Sequence, residues 1–318
     1  MDKLKNNKTL VKVGAIGLFV LTLFVLPFLF KPSEDKLKAA SKKSEEVQTG
    51  SCDISIRVSG QKEPIPLEEY VVGVVAAEMP ANFHPEALKA QAIAARTYVL
   101  KTTNNGQLEI EPTVMKQVFY DEDTRKENWQ TTFDENEQKI REAVKSTEGE
   151  VLKYNGELIT AMFHSMSNGM TESAKNYNGT DLPYLQPVVS TDFHAENFVS
   201  TKNFKLADWN RLLNVNMTLD DIKKIKIVRN DTGRVEKIVA GGKEWPGRDI
   251  RTKLELRSTD FDIKVVNNEI QVMTEGYGHG VGMSQYGADA MAKQGSTAHE
   301  ILNHYYTNIT IEKMLCKK

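Results

Sequence analysis

Apolar positions recur along the chain with helical or strand period, in short segments that turn residues separate. Residues 69–80 are apolar on nearly every side and predict a buried helix, with Pro66 suited to its first turn and Pro80 stopping it. Residues 85–101 place their apolar side chains on one stripe and predict a second helix. Because only a short loop joins the two segments, the sequence predicts a helical hairpin.

Three pairs of short apolar segments predict β-hairpins, because each pair flanks residues that favour tight turns. Strands that tight turns connect are antiparallel. The paired segments are 151–154 with 157–163 across Asn155 and Gly156, 225–229 with 235–240 across residues 230–233, and 261–266 with 269–273 across Asn267 and Asn268.

Further helices are predicted between and after these hairpins, in an order that does not alternate as in βαβ folds. Asp134, with Glu137 three residues later, has the pattern of a capping box before a helix to residue 147. The fold class is therefore predicted to be α+β, with antiparallel β-hairpins and packed helices in one domain. The remaining predicted segments are a strand at 54–58 and helices at 206–213, 249–256, 284–294 and after Thr297.

The amino-terminal segment predicts a single membrane anchor. Lysines precede residues 13–30, an uncharged and mostly apolar run that nearly spans a hydrocarbon core at about 1.5 Å per residue. The lysines favour a cytoplasmic tail at residues 1–12. Retention is favoured over cleavage, because the run is longer than the apolar part of a usual signal peptide and no small-residue cleavage site follows closely. Residues 31–50 predict a solvated tether, and residues 51–318 an extracytoplasmic domain.

Composition and charge narrow the classes of function. The 318 residues are 40% hydrophobic and 26% charged, which is ordinary for a globular protein and excludes disorder throughout. A net charge of -2 gives no overall field that favours nucleic acid as a partner. Cys52 and Cys316 stand at the two ends of the outer domain. An oxidising compartment permits one disulfide between them, and two unpaired thiols are the alternative.

Glu78, near the end of the first predicted helix, is the candidate catalytic residue. Burial raises the pKa of a carboxylic acid, because the charged form loses its water. A glutamate that stays protonated near neutral pH can donate a proton to a leaving oxygen, which is the work of a general acid. The alternative is a side chain that turns back to water or caps a neighbouring element.

Two cations and a serine-histidine pair are further candidates. Lys89 and Arg96 lie seven residues apart on one face of the second helix, where they either flank a cleft or form its solvated side. His164 and Ser165 lead into a turn that ends at Gly169. Neighbouring residues on a strand face opposite sides, so this pair is not expected to act as base and nucleophile. The turn that follows either binds a ligand or is a plain tight turn with surface hydroxyls.

Residues 276–287 form the most unusual stretch, with glycine at every second place from Gly276 to Gly282. Glycine permits conformations and close approaches that other residues forbid, so a ligand or another strand is expected near the main chain of His279. The stretch lacks the order and the βαβ setting of phosphate and dinucleotide loops. The histidines have no metal-ligand spacing, and no metal or cofactor is predicted.

Four motifs of this sequence resemble the stage II sporulation protein D family. The resemblance covers nearly all of the outer domain. The motifs are YVVGVVAAEMP at 70–80 continuing into EALKAQAIAARTY at 86–98, FHSMSNG at 163–169, LPYL at 182–185, and GHGVGMSQYGA at 278–288.

The resemblance implies a lytic transglycosylase of endospore-forming bacteria that cleaves peptide-stripped glycan strands of peptidoglycan during engulfment. It also implies a location in the mother-cell membrane at the sporulation septum, with a peptidoglycan amidase and a further membrane protein as partners. The family's catalytic glutamate falls on Glu78. The zinc attributed to some family members uses cysteine and histidine ligands, and because this chain lacks suitable cysteines the metal is not carried over.

Such an enzyme needs only one acid. The C6 hydroxyl of muramic acid attacks C1, so one glutamate first protonates the leaving oxygen and then removes the hydroxyl proton. Chemistry and motif position predict eight contacts to the substrate or the transition state. These are Lys89, Arg96, His164, Ser165, Tyr184, His279, Gln285 and Tyr286.

Two other functions stay open at this point. A non-catalytic wall-binding module that activates an amidase would resemble related amidase enhancers. A glycan hydrolase would release a reducing end and would need a second carboxyl group, for which Glu172 and Glu275 are candidates.

Overall fold

The computed structural model of the chain describes residues 54–192 and 195–314. The predicted anchor and tether, and the cysteines Cys52 and Cys316, lie outside these ranges. Within them, no helix has both the length and the apolar character that crossing a bilayer requires. The described residues all belong to one compact unit.

Long helices dominate the first part of the described chain, and shorter ones follow. Both helices of the predicted hairpin are confirmed. The helices are α1 Leu67–Glu78, α2 Pro85–Thr102, α3 Glu122–Trp129, α4 Phe133–Ser146, α5 Ala174–Asn178, α6 Leu206–Leu213, α7 Leu219–Lys223, α8 Gly247–Lys253, α9 Gln285–Lys293 and α10 Ala298–Tyr305.

Two predicted helix starts differ in outcome. Thr297 and Glu300 form a reciprocal capping box before α10. The box predicted from Asp134 and Glu137 is wrong, because α4 continues directly from a 3-10 turn and its cap, Thr132, makes no side-chain capping bond. The Glu137 carboxylate instead binds the Arg125 guanidinium, at 2.8 Å.

The strands are short, and most pairs are antiparallel. All three predicted turns connect paired strands, as does the further turn between β8 and β9, so the α+β class is confirmed. The strands are β1 Ser55–Ile56, β2 Ile65–Pro66, β3 Glu150–Tyr154, β4 Glu157–Leu158, β5 Phe163–His164, β6 Val199–Phe204, β7 Lys226–Arg229, β8 Val235–Ala240, β9 Lys243–Pro246, β10 Asp260–Val266, β11 Glu269–Glu275, β12 Met283–Ser284 and β13 Thr310–Lys313.

One predicted strand is divided. The segment 157–163 is not one strand, because β4 ends at Leu158 and β5 begins a separate pairing. β5 pairs with β12 in parallel, with Phe163 opposite Met283 and His164 opposite Ser284. This pairing brings the glycine-rich stretch against the serine-histidine turn, although the paired residues are 120 positions apart in the chain.

The domain has two hydrophobic cores. The first core joins α1, α2 and α4 to β3, α9 and α10, and it includes Tyr70, Ile93 and Tyr305. The second core lies within residues 209–272, around Trp209 and Phe261. In the chain, the glycine-rich stretch follows the residues of the second core. After this stretch, the chain contributes residues to the first core again.

α1 is buried along almost its whole length. Eight of its twelve residues are buried, and each buried valine contributes about 1.5–3 kcal/mol to folding. Glu68 and Glu69 lie in the first turn, where the helix dipole favours negative charge. The helix ends because Met79 is extended and Pro80 follows it. A helix of this kind has no polar face, so its orientation depends on the few polar groups at its ends.

Arg96 on α2 fixes that orientation. Its side chain is fully buried, and two of its nitrogens donate to the Glu68 carboxylate, at 2.9 Å from Nε and 2.6 Å from Nη2. Nη1 donates to the Glu150 carbonyl at 3.1 Å, and Nη2 also lies 3.4 Å from the Val144 carbonyl. One guanidinium therefore joins α1, α2, the end of α4 and the start of β3.

We expect Arg96→Ala to lower the free energy of unfolding by about 3–5 kcal/mol, because it leaves a partly buried carboxylate and two carbonyls without their donor. Urea titration followed by circular dichroism measures the change. Lys139→Ala is the control, since it breaks the exposed pair of Lys139 with Glu135 on α4. The control should cost less than about 1 kcal/mol. Equal costs for the two variants would contradict the structural role of Arg96.

Candidate functional site

Glu78 is the last residue of α1 and is half-buried. Its Oε1 accepts a hydrogen bond from the Val118 backbone amide at 2.8 Å. Burial raises the pKa of the Glu78 carboxyl, and the bond from Val118 opposes part of that rise. The described residues place no cation in ion-pair contact with it, and their hydrogen bonds engage only Oε1. One oxygen of this carboxyl is therefore held, and the other has no hydrogen-bond partner among the described residues, an arrangement that fits a general acid.

Residues 117–120 cover the side of α1 and supply that amide. The Gln117 side chain accepts from the Tyr70 hydroxyl and donates to the Ala95 carbonyl, both at 3.1 Å. The Phe119 ring stacks on Tyr70 with 5.3 Å between centroids. These contacts tie the segment to both α1 and α2, so the amide of Val118 is fixed relative to Glu78.

Gly73 permits this close crossing. Its carbonyl accepts from the Tyr120 amide at 3.1 Å, and a Cβ at this position would overlap the Phe119 ring and lie 2.6 Å from the Tyr120 carbonyl oxygen. A side chain on residue 73 would push the segment away from the helix. Tyr70 and Tyr98 lie near Glu78, and burial, with a smaller effect of its negative charge, raises the pKa of both phenols.

The two cations predicted on α2 differ in position. Lys89 is half-buried and pairs with Glu86 at 2.7 Å, near the start of α2. Arg96 has no exposed surface and is fully engaged inside the fold. The prediction that Arg96 contacts substrate is therefore corrected: this residue stabilises the helices that carry Glu78.

The glycine-rich stretch lies directly against the serine-histidine turn. Gly276, Gly278, Gly280 and Gly282 all have positive φ, which disfavours any other residue. A Cβ on Gly278 would come 2.9 Å from the Cβ of His164. The predicted close approach to the main chain of this stretch is confirmed, and the approaching group is the chain's own β5 region.

His164 and His279 meet at this contact, with 5.7 Å between ring centroids. Val281 ties both rings to the backbone, because its carbonyl lies 3.2 Å from Nδ1 of His164 and its amide donates to Nδ1 of His279 at 3.0 Å. Burial lowers the pKa of His164 to about 3, with a further contribution from the charge of Arg234. Burial likewise lowers the pKa of His279 well below its usual value. Both imidazoles are neutral and do not supply positive charge.

The remaining predicted contacts divide between surface and interior. Ser165 and Tyr286 are half-buried, and the Ser165 carbonyl accepts from the Tyr286 amide at 3.1 Å. Tyr184 is 8% exposed, and its hydroxyl accepts from the Thr160 amide at 3.2 Å. Gln285 is 4% exposed and lies 3.4 Å from Gln91 of α2. Tyr184 and Gln285 are therefore mostly interior residues, and their contact with substrate stays a prediction.

α9 connects the glycine-rich stretch to the loop after α1. The Tyr286 ring packs edge-on against Phe83, with 4.9 Å between centroids. The His84 amide donates to the Asp289 carboxylate at 2.7 Å. The loop that follows Glu78 is therefore held by the helix that follows the glycine-rich stretch.

Glu172, one candidate second acid, is a buried structural group. It is 3% exposed, and its oxygens accept from the Ser173 amide, the Asn176 and Asn230 side-chain amides and the Thr232 hydroxyl, at 2.6–3.0 Å. Four donors occupy both carboxylate oxygens, so neither oxygen is free to contact a glycosidic oxygen. Its assignment as a second catalytic acid is corrected on this ground.

Glu275, the other candidate, lies at the end of β11. It lines a surface cavity of about 270 Å³ together with Asp260, Asp262 and Arg229. Burial raises the pKa of its carboxyl, and the two aspartates raise it further. Neither here nor elsewhere in the described ranges do three or more His, Cys, Asp or Glu side chains gather as a metal site would require.

Four arginines that the sequence analysis did not select surround the glycine-rich stretch. Arg248 lies over the Tyr177 ring, 4.1 Å from its centroid, and that ring lies 5.3 Å from His279. Arg257 lies 4.4 Å from the centroid of Tyr277. Arg234 and Arg251 complete the group. Three arginines within residues 248–257 were the available sequence signal, but nothing in the sequence pairs that segment with residues 276–280.

Comparisons with known proteins agree with the earlier resemblance. Residues 59–154 match the family model described as SpoIID, Stage II sporulation protein. The chain is 40% identical over 327 residues to stage II sporulation protein D of Bacillus subtilis (strain 168), covering 96% of this chain and 95% of that protein. It is 42% identical over 260 residues to stage II sporulation protein D of Bacillus amyloliquefaciens, covering 79% and 75%.

A more distant relative carries a different name. The amidase enhancer of Bacillus subtilis (strain 168) is 30% identical over 294 residues, covering 75% of this chain and 40% of that protein. The two similarities over most of both chains decide the family. This chain belongs to the stage II sporulation protein D family.

Proposed function

We propose that this protein is a peptidoglycan lytic transglycosylase that cleaves peptide-stripped glycan strands and leaves 1,6-anhydromuramic acid ends. Glu78 is its single catalytic residue. The observation that carries the proposal is the half-buried carboxyl at the end of α1, whose pKa is raised and whose Oε1 alone is held, by the Val118 amide. A neutral acid in this position fits proton donation to a glycosidic oxygen.

The reaction proceeds in two proton transfers. The Glu78 carboxyl first donates its proton to the glycosidic oxygen, and the bond between C1 of muramic acid and that oxygen breaks. The C6 hydroxyl of the same muramic acid then bonds to C1 and gives its proton to the Glu78 carboxylate. The enzyme returns to its starting state without water, so a second carboxyl group is not required.

The hydrogen bond from Val118 suits this double role. It stabilises the carboxylate that exists after the first transfer, whereas burial favours the neutral acid before it. The two effects oppose each other, and the effect of burial is the larger, so the pKa of the carboxyl stays above its ordinary value. The bond also restricts the rotation of the carboxyl group.

The cellular setting forms part of the same proposal. A membrane anchor at residues 13–30 would place the domain outside the mother-cell membrane, where a peptidoglycan amidase that removes stem peptides would act as its partner together with a further membrane protein. Such an amidase would supply the stripped strands that the transglycosylase consumes.

A second candidate function is a wall-binding module that activates an amidase without cleaving glycan. The relative named amidase enhancer favours it. Product analysis separates the candidates: the purified full-length chain, kept soluble with detergent, is incubated with peptide-free glycan strands, and the products are identified by mass. Anhydro ends support the transglycosylase, reducing ends a hydrolase, and uncut strands the activator.

We expect Glu78→Gln to lower the rate of anhydro product formation at least about 100-fold, because general acid-base catalysis contributes about 10²–10⁴-fold. Binding of the strands and the fold should be retained, since glutamine has nearly the same shape. Glu142→Gln, which removes an exposed carboxylate on α4, is the matched control and should keep the wild-type rate. Unchanged turnover by Glu78→Gln would reject the assignment.

The pKa of Glu78 also predicts a pH dependence of stability. A carboxyl whose folded-state pKa is raised contributes stability below its unfolded pKa and loses it as the pH rises through the folded value. The wild type should therefore lose stability relative to Glu78→Gln as the pH increases from about 4 toward 8. Urea unfolding of both proteins across this range measures the difference. A difference that is constant with pH would show that Glu78 titrates normally.

A further inference from the structure

Five of the ten described arginines form an ion pair with a described carboxylate. The side chains of the other five donate only to backbone carbonyls among the described residues, and four of these five lie together. Arg234, Arg248, Arg251 and Arg257 make no ion pair with any described carboxylate. All four lie at the glycine-rich stretch, and we call them the arginine cluster. Since like charges repel at short range, an assembly of cations without counter-ions points to an anionic ligand.

Aromatic rings form the accessible side of the arginine cluster. Arg248 is exposed and donates to the Tyr177 carbonyl while its guanidinium covers the Tyr177 ring. Tyr277 is 46% exposed beneath Arg257. Arg251 stands one helical turn after Arg248 on α8, on the same face. Cationic groups stacked on partly exposed aromatic rings are suited to a sugar that carries a negative charge.

The inner side of the arginine cluster has two buried groups, each with a hydrogen-bonding atom that lacks a described partner. Arg234 is 4% exposed and lies against Gly280, and its Nη2 donates to the Met170 carbonyl at 3.0 Å. Its Nη1 has no partner among the described residues, and neither does Nε2 of His164, which is also 4% exposed. Buried polar atoms of this kind are costly unless a ligand or solvent satisfies them.

The pKa shifts of two arginines in this region agree with a site that favours a negatively charged ligand. Burial lowers the pKa of Arg251, and its neighbour Arg248 lowers it further. Burial also lowers the pKa of Arg234, although Glu172, Asp260 and Asp192 act on it from a distance in the opposite sense. Glu172 does not pair with the arginine cluster, because its oxygens are already occupied by four other donors.

We infer that the arginine cluster is a carboxylate-binding site, and that its ligand is the lactyl carboxylate of a muramic acid residue from which the stem peptide has been removed. A guanidinium fork matches a carboxylate with two parallel hydrogen bonds. An attached stem peptide converts the carboxylate into an amide and removes its charge, so the site would distinguish stripped strands from intact ones. This inference rests on the proposed function and names the group that the substrate must carry.

The site need not adjoin the bond that Glu78 cleaves. Muramic acid recurs at every second sugar of a glycan strand, so a stripped strand offers a carboxylate at regular intervals along its length. α9 links the two regions, since it begins within the last residues of the glycine-rich stretch and packs against Phe83 in the loop that follows Glu78. A strand bound at the arginine cluster would in this way be recognised at one muramic acid and cut at another.

Binding measurements on the full-length Glu78→Gln protein test the inference without cleavage. The two ligands are peptide-free glycan strands and the same strands with their lactyl carboxylates converted to methylamides. We expect about tenfold weaker binding of the amidated strands, the effect of losing one charge-assisted hydrogen bond of about 1.4 kcal/mol. Adding Arg251→Gln should weaken binding of native strands about tenfold and abolish the difference between the two ligands.

Arg57→Gln is the matched control, because Arg57, like Arg251, lacks an ion pair and donates to a backbone carbonyl, that of Gln107, away from the arginine cluster. The control should keep the tenfold difference. If Arg251→Gln is unstable by thermal melting, Arg248→Gln, at an exposed position of the same helix, takes its place. Equal binding of native and amidated strands overturns the inference, as does loss of the difference in the control.

A phosphate ligand is a separate outcome of the same experiment. Arginine-dependent competition by inorganic phosphate, combined with equal binding of the two strands, would assign the arginine cluster to phosphate and overturn the lactyl carboxylate. The outcome for the proposed function is read independently from the wild-type products. Anhydro ends together with equal binding of native and amidated strands would contradict only the carboxylate-site inference. A difference in binding without anhydro ends would contradict only the proposed transglycosylase activity.

Discussion

The buried guanidinium of Arg96 is the constraint on which the arrangement of the first core depends. α1 is apolar on almost every side, and apolar contacts alone would allow it to rotate or slide against α2. Directional bonds from Arg96 to Glu68, and to the carbonyls of Val144 and Glu150, remove that freedom. With the first turn of α1 fixed, twelve residues of rigid helix determine where Glu78 emerges.

The chemistry of Glu78 depends on a second contact to the same helix. Burial alone would keep the carboxyl neutral and make it a donor that cannot easily hold the charge left behind. The Val118 amide moderates this effect, and it reaches the carboxyl only because Gly73 lets residues 117–120 lie directly on α1. The position of the acid therefore depends on the contacts of Arg96 at the start of α1. The adjustment of its pKa depends on residues 117–120, which cross α1.

The sequence predicted those features that local pattern determines. The limits of α1 follow from its apolar run and Pro80, and the hairpins follow from turn residues such as Asn155 and Gly156. α3 was missed because residues 122–129 are polar and carry no apolar stripe; Arg125, its buried residue, is held by an ion pair with Glu137. The interior position of Arg96 was also missed, since an arginine on a helix face is usually solvated, and its partners lie 28 to 54 residues away.

The glycine-rich stretch shows why a motif may be recognised while its purpose is not. Its alternating glycines were expected to admit a ligand or another strand, and the groups that approach are His164 at Gly278 and Arg234 at Gly280. The requirement for glycine therefore comes from the contact between β5, the stretch and an arginine more than forty residues earlier in the chain. The arginine cluster lies in the segment that contains the second core, and Glu78 lies in the helix that packs in the first core. The stretch that joins these two parts must allow close packing and must hold one conformation. Glycines at positive φ, locked by β12 pairing with β5, meet both conditions.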